Sequence, residues 1–272
     1  MKINPIRTHG RPDRVGVLCT ILMEILMNRS HIPQHDELAP PLRKRVRGRV
    51  ALGKPATCPL GRGSAGLQPD PCKGVMPLSR DLREKTATLH DRAETLLGLP
   101  GGIMDRADYV DWLRHFLALY DPIERRIAGF EGWSRLACVD PDPGHSRRLL
   151  RDLGALGIDA DRVLRAPSEC CPPLTNFARA LGARYVLEGS ALGGRVILHH
   201  LKKRIGDEIG EMTAFFGGPS HGTATHWRAF QAALDRFDAA HPDERADVLA
   251  GAAATFTALI EWFAPFVAAR RV

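Results

Sequence analysis

The chain has 272 residues, 44% hydrophobic and 25% charged, with a formal net charge of +7. That is enough apolar material for a sizeable core, and it excludes a wholly disordered chain or one built from many membrane spans. Residues 1–75 hold 13 of the 38 Lys/Arg and 5 of the 31 Asp/Glu, which leaves 25 basic and 26 acidic residues beyond them, so the main body offers no general cationic surface for nucleic acid.

Residues 1–75 read as a basic extension, expected to be mostly disordered. They carry nine prolines, eight glycines and the run Arg43-Lys44-Arg45-Val46-Arg47-Gly48-Arg49, with little helical period. If this arm binds nucleic acid, its affinity falls steeply with salt and is lost on truncation to Met76. The apolar stretch Val15–Met27 is interrupted by Glu24 and is shorter than the roughly 20 residues that span a bilayer. Basic residues precede it, but no small-residue cleavage pattern follows, so a cytoplasmic protein is expected. The cysteines at 19, 58, 72, 138, 170 and 171 form no CxxC pair and no Cys/His metal spacing, which argues against a zinc site and for reduced thiols. Met76, just ahead of the first clear helix, is an alternative start of the chain.

From residue 76 to 272 the pattern predicts one all-α domain of six to eight helices. Ser79 is placed to cap a helix running to Leu97, with Leu82, Leu89, Ala93 and Leu96 at helical spacing and Gly98 and Pro100 ending it. Asp105 and Asp108 open a second helix over 106–128, with Val110, Leu113, Phe116, Leu117, Tyr120 and Ile123 inward. Shorter helices are expected over 144–156 and 174–182, then a long one over 179–205, broken after it by Gly217-Gly218-Pro219-Ser220. Thr225 is placed to cap a helix through Phe237, and Pro242 sits in the first turn of a last helix ending near Val267. No stretch alternates as a strand does.

Two of these helices depart from ordinary composition. His90 lies three and seven residues before Ala93 and Leu97, hence on the inner face, with Glu94 one turn later and Arg83 two turns earlier. The plain reading is a core histidine and a solvated charged face. The sharper one is a metal ligand: Glu94 accepts one ring N–H and leaves Nε2 to the metal, while Arg83 meets an anionic group of the ligand. In the long helix, Gly189, Gly193 and Gly194 interrupt a strongly helical run, each at about 1 kcal/mol relative to alanine. Gly189 and Gly193 share a face. Either another helix packs there closely, or a planar ligand lies against bare backbone.

Leu82-Arg83-Glu84-Lys85-Thr86-Ala87-Thr88-Leu89-His90-Asp91-Arg92-Ala93-Glu94 resembles the proximal-helix motif of haem oxygenases. Tyr185-Val186-Leu187-Glu188-Gly189-Ser190-Ala191-Leu192-Gly193-Gly194 resembles their distal motif, most of all in the bacterial branch that supplies biliverdin to bacteriophytochromes. The two stand in the right order, about 100 residues apart, and the resemblance spans residues 78 to about 267. It implies a haem oxygenase-like helical domain that cleaves haem b to biliverdin, CO and Fe2+. Haem is then substrate and cofactor, O2 the co-substrate, and electrons come from an external reductase or ferredoxin, since no flavin or NAD fingerprint is visible. His90 becomes the iron ligand, Glu94 its hydrogen-bond partner, and Arg83 and Arg228 the partners of the propionates. Gly189, Ser190, Gly193 and Gly194 become the distal wall that steers oxygen to a meso carbon, and Phe256 and Phe263 pocket residues of the last helix. Ala232 stands where other members carry a further propionate-binding arginine, and Ser190 where mammalian members carry an aspartate that organises water. The Cys58-Pro59 and Cys171-Pro172 dipeptides resemble haem-regulatory motifs, a pattern that ordinary cysteines share by chance. Rival readings are a non-catalytic haem carrier or sensor on the same fold, and a helical interaction protein whose glycines serve packing alone.

Overall fold

Residues 76–136, 139, 144–218 and 222–270 are described in the computed structural model, where they form seven α-helices and five 3-10 turns and no strand. The extension 1–75, with its basic run and Cys58-Pro59, lies outside the described residues. Helix α1 spans Leu78–Leu97, α2 Arg106–Ala128, α3 His145–Ala155, α4 Phe177–Ile205, the single turn α5 Ala214–Gly217, α6 Thr223–Ala240 and α7 Arg245–Ala268.

Local chemistry sets most of the helix ends. Gly98 closes α1 in the left-handed region, at φ 57°, with its N–H on Glu94 O. Asp105 caps α2, its side chain accepting from Asp108 N. Other boundaries differ from the sequence reading. Pro77, not Ser79, precedes α1; Ser79 instead donates its N–H and Oγ–H to Asp235 of α6, at 2.8 and 3.0 Å. The two helices expected over 174–182 and 179–205 are one, because Asn176 caps the first turn by accepting from Arg179 N and no breaker follows. Gly222, not Thr225, stands at the start of α6, and Pro242 opens a 3-10 turn, Pro242–Glu244, that runs into α7.

Helix α7 is the centre of the fold. By length and composition Pro242–Ala268 is apolar enough to cross a membrane. Here its Val248, Ala252, Phe256, Leu259 and Phe263 are buried, with α4 and α1 packed against it. The α4–α7 crossing is close because two glycines permit it. A Cβ on Gly182 would stand 2.0 Å from Val248 O, and one on Gly251 2.1 Å from Arg179 O. Helix α1 lies on α7 and α6, and no comparable packing joins α1 to α4 among the described residues. The two helices that carry the unusual motifs therefore share a support without being packed on each other.

Candidate functional site

On α1, His90 keeps 26% of its side chain exposed, although it sits in mid-helix and meets Phe256 of α7 edge-on, with ring centroids 6.0 Å apart. Glu94 Oε1 lies 3.6 Å from His90 Nε2 and Asp91 Oδ1 lies 3.8 Å from Nδ1. This corrects the expected arrangement, in which Glu94 took the other ring nitrogen. Both distances exceed hydrogen-bond length, so neither carboxylate locks the ring, and a half-turn about Cβ–Cγ exchanges the two nitrogens. Ligand atoms of His90, Asp91 and Glu94 lie within 4.8 Å of one another, so this turn is the metal-capable group found among the described residues. Arg83, half-buried two turns earlier, stands near Tyr185 of α4. Burial pushes the Tyr185 phenol up, and the Arg83 charge opposes that push.

From Ala180 to Leu192 helix α4 is buried except at Ser190, which is exposed. Around the helix, Gly189, Gly193, Ser190 and Gly194 follow one another as a stripe, at 100° per residue. The structure divides that stripe. Gly189 is covered by Trp227 of α6, whose Cη2 would lie 3.6 Å from an added Cβ. Gly194 is covered by α5, since a Cβ there would stand 2.7 Å from Phe216 O. Close helix packing thus explains Gly194. Between these two covers Ser190 is exposed and Gly193 half-buried, with half-buried Ile197 in line one turn on. The result is a narrow strip of backbone and one hydroxyl, on a helix held apart from α1 by α7.

The structure does not bring every expected residue to this place. Phe256 touches His90, but Phe263 belongs to an interior aromatic cluster, stacked on Trp112 at 5.6 Å and packed on Phe116 at 4.7 Å. Arg228 is exposed and donates Nε–H to Ala224 O of its own helix, and Ala232 is exposed. Cys170 and Cys171 are free and half-buried on the turn before α4.

A buried ionic network beside the open strip was not anticipated. Glu188 takes Arg184 on Oε1 at 2.8 Å and His226 of α6 on Oε2 at 3.0 Å, and Arg184 is 1% exposed. Burial alone would raise the Glu188 carboxyl. The His226 bond and the charges of His145, Arg184 and His226 outweigh it and hold the group at about 2. His145 Nδ1 and Glu124 Oε1 form a second buried pair at 2.9 Å. The i, i+4 pair Arg184/Glu188 inside an apolar run was a legible signal for the first network. The His145–Glu124 pair joins distant parts of the chain and had none.

The His226 link gives a pH dependence. Its bond to Glu188 raises His226 above the ordinary histidine value, so its contribution is full below about 6.5 and is lost as pH rises through the raised value. Glu188 is depressed, so its contribution is full above about 4.5 and is lost as pH falls toward 2. His226→Gln therefore lowers the urea midpoint most near pH 5.5 and least near pH 9. An equal loss at both values would show that the ion pair contributes nothing.

Comparison with known proteins places the chain. Residues 76–265 match the family model for heme oxygenase. The chain is 41% identical over 140 residues to a protein named heme oxygenase from Xanthomonas campestris pv. campestris (strain 8004), covering 48% of this chain and 78% of that one. Its fold is similar to that of the NO- and CO-bound heme oxygenase from Neisseria meningitidis, with TM-score 0.55 and 20% identity, over 70% of this chain and 93% of that one.

Proposed function

Since this chain belongs to the haem oxygenase family over residues 76–265, we propose that it opens haem to biliverdin, CO and Fe2+ in the space bordered by His90 of α1 and the Ser190–Gly193 strip of α4. Haem degradation with O2 is the family's activity, and haem is at once its substrate and its cofactor. When bound, haem supplies the iron at which O2 is reduced. The other roles fall to the chain.

The observation that carries the reading is Ser190, exposed in the middle of a helix buried on either side of it. A mid-helix opening lined by a hydroxyl and a bare Cα suits a flat apolar ligand with a small polar group above it. His90 faces that need from α1 as the iron ligand, with Glu94 and Asp91 flanking its two ring nitrogens just beyond hydrogen-bond length. Phe256 supports the imidazole edge-on. Arg83 is the residue suited to a propionate. Gly193 and Ser190 border the distal side directly, whereas Gly189 and Gly194 act by letting Trp227 and α5 close on either flank. An external reductase or ferredoxin in the cytoplasm supplies the electrons. A bacteriophytochrome is a fitting acceptor of the product, on the wording of the α4 motif.

The test is to titrate the protein with haem, then add ascorbate or a ferredoxin system under O2. Loss of the Soret band with growth of the biliverdin spectrum is expected. A stable haem spectrum under turnover conditions would make the chain a carrier, and no Soret complex at all would reject the site.

A further inference from the structure

We propose that Asp152 of α3 is a positioning residue for the haem reaction: by holding α5 in place, it sets one rim of the slot along α4. This rests on the reading of the Ser190–Gly193 strip as the distal side of the haem site. The effect of Asp152 passes through the backbone of α5, which closes over Gly194.

Helix α5 is a single turn, Ala214–Gly217, too short to persist unaided. Its first N–H groups have no carbonyl of their own helix to meet, and Thr213, in the capping position, gives them no side-chain bond. Asp152 supplies the acceptors from another helix. Its Oδ1 takes the N–H of Ala214 at 2.9 Å and its Oδ2 that of Phe215 at 2.8 Å, and Asp152 itself is 0% exposed. Tyr109 of α2 adds an anchor just ahead of the turn, its O–H donating to Met212 O at 2.7 Å. Gly210 and Gly218, left-handed at φ 40° and 71°, bound the segment, so α5 can shift without unwinding α4 or α6.

The other side of α5 meets the glycine stripe. Phe216 O would stand 2.7 Å from a Cβ on Gly194, next in line after half-buried Gly193. Phe215 and Phe216 are buried, with their rings on Phe116 of α2 at 5.0 and 6.1 Å. Such apolar packing is non-directional and tolerates a sliding turn. The two carboxylate bonds do not, since each N–H must point at its own oxygen. An acid is costly at this depth: burial pushes the Asp152 carboxyl up, against the pull of the two backbone bonds and of Arg151 and Arg148. What it supplies is direction. An amide in its place offers one acceptor and one donor, and so sets an N–H against an N–H. With α5 released, the Gly194 edge of the slot opens and bound haem loses that rim.

The test reads α5 and haem separately. Amide exchange followed by mass spectrometry gives the protection of residues 212–218 in the haem-free full chain, and transfer of haem to excess apomyoglobin gives the release rate of the complex. Asp152→Asn is expected to speed both by about tenfold, the effect of one lost bond to a charged group, while α1, α4 and α7 keep their protection. Gly194→Ala pushes α5 off from the other side and should speed haem release likewise. The double variant should add little, because one displacement of α5 serves both. Protection lost evenly over α1, α4 and α7 would make Asp152 a general core residue and overturn the proposal. Faster exchange in α5 with an unchanged release rate would overturn it as well, since α5 would then be no rim. Should Asp152→Asn not fold, Gly194→Ala decides, and release at the parental rate counts against the rim. Failure of the parent chain to form a haem complex would overturn the haem-site reading and this proposal with it, whereas an intact complex released at the parental rate by both variants sinks this proposal alone.

Discussion

His90→Ala is expected to abolish haem breakdown while leaving the fold in place. The imidazole keeps about a quarter of its surface exposed, 26%, and its nearest carboxylates stand beyond hydrogen-bond length, so its removal opens no sealed cavity and strands no buried partner. The stability cost is expected to stay within about 1 kcal/mol. The chemical cost is far larger. Loss of a residue that only orients a ligand typically costs 10–100-fold, and loss of the ligand itself is expected to exceed roughly 100-fold. Added imidazole should restore part of the turnover, because the space left by the side chain faces the site. Glu94→Gln should fall between the two, since Asp91 still flanks the ring. Soret and turnover measurements on these variants, beside thermal melts, are the check. Full turnover by His90→Ala would place the iron ligand elsewhere.

The second large effect is on stability. Gly182→Ala and Gly251→Ala each put a methyl group on a backbone carbonyl across the α4–α7 crossing, 2.0 Å from Val248 O and 2.1 Å from Arg179 O. In an unpacked helix the same change would gain about 1 kcal/mol. Here the helices must separate by more than an ångström. Overpacking of this kind costs about 3 kcal/mol or more, which lowers Tm by roughly 10 °C in a domain of this size. The double variant should cost less than the two singles together, because one separation relieves both clashes. Moving α7 also moves Phe256 away from His90, so haem affinity should fall with Tm. By contrast Gly189→Ala meets only Trp227 at 3.6 Å, an ordinary contact, and should melt near the parent. Equal melting of Gly182→Ala and the parent would mean that the crossing is looser than this geometry.

These two results divide along the line between what is local and what is not. Helix periodicity, the turn at Gly98, the cap at Asp105 and the pairing of His90 with a carboxylate one turn later are near-neighbour effects, and each is legible from a few adjacent residues. The two motifs likewise named the fold. Sequence reasoning went wrong where a distant partner decides. Ser79 looks like a cap until Asp235 arrives from α6 to take both its hydrogens.

The glycines show the same division most clearly. The chain by itself determined that α4 carries a stripe of three glycines and one serine, because helical geometry puts residues 189, 190, 193 and 194 side by side. Which part of the stripe stays open was decided by α5 and α6, whose Phe216 backbone and Trp227 ring close over its two edges. A glycine records only that something comes near. What comes near, another helix or a ligand, depends on elements tens of residues away.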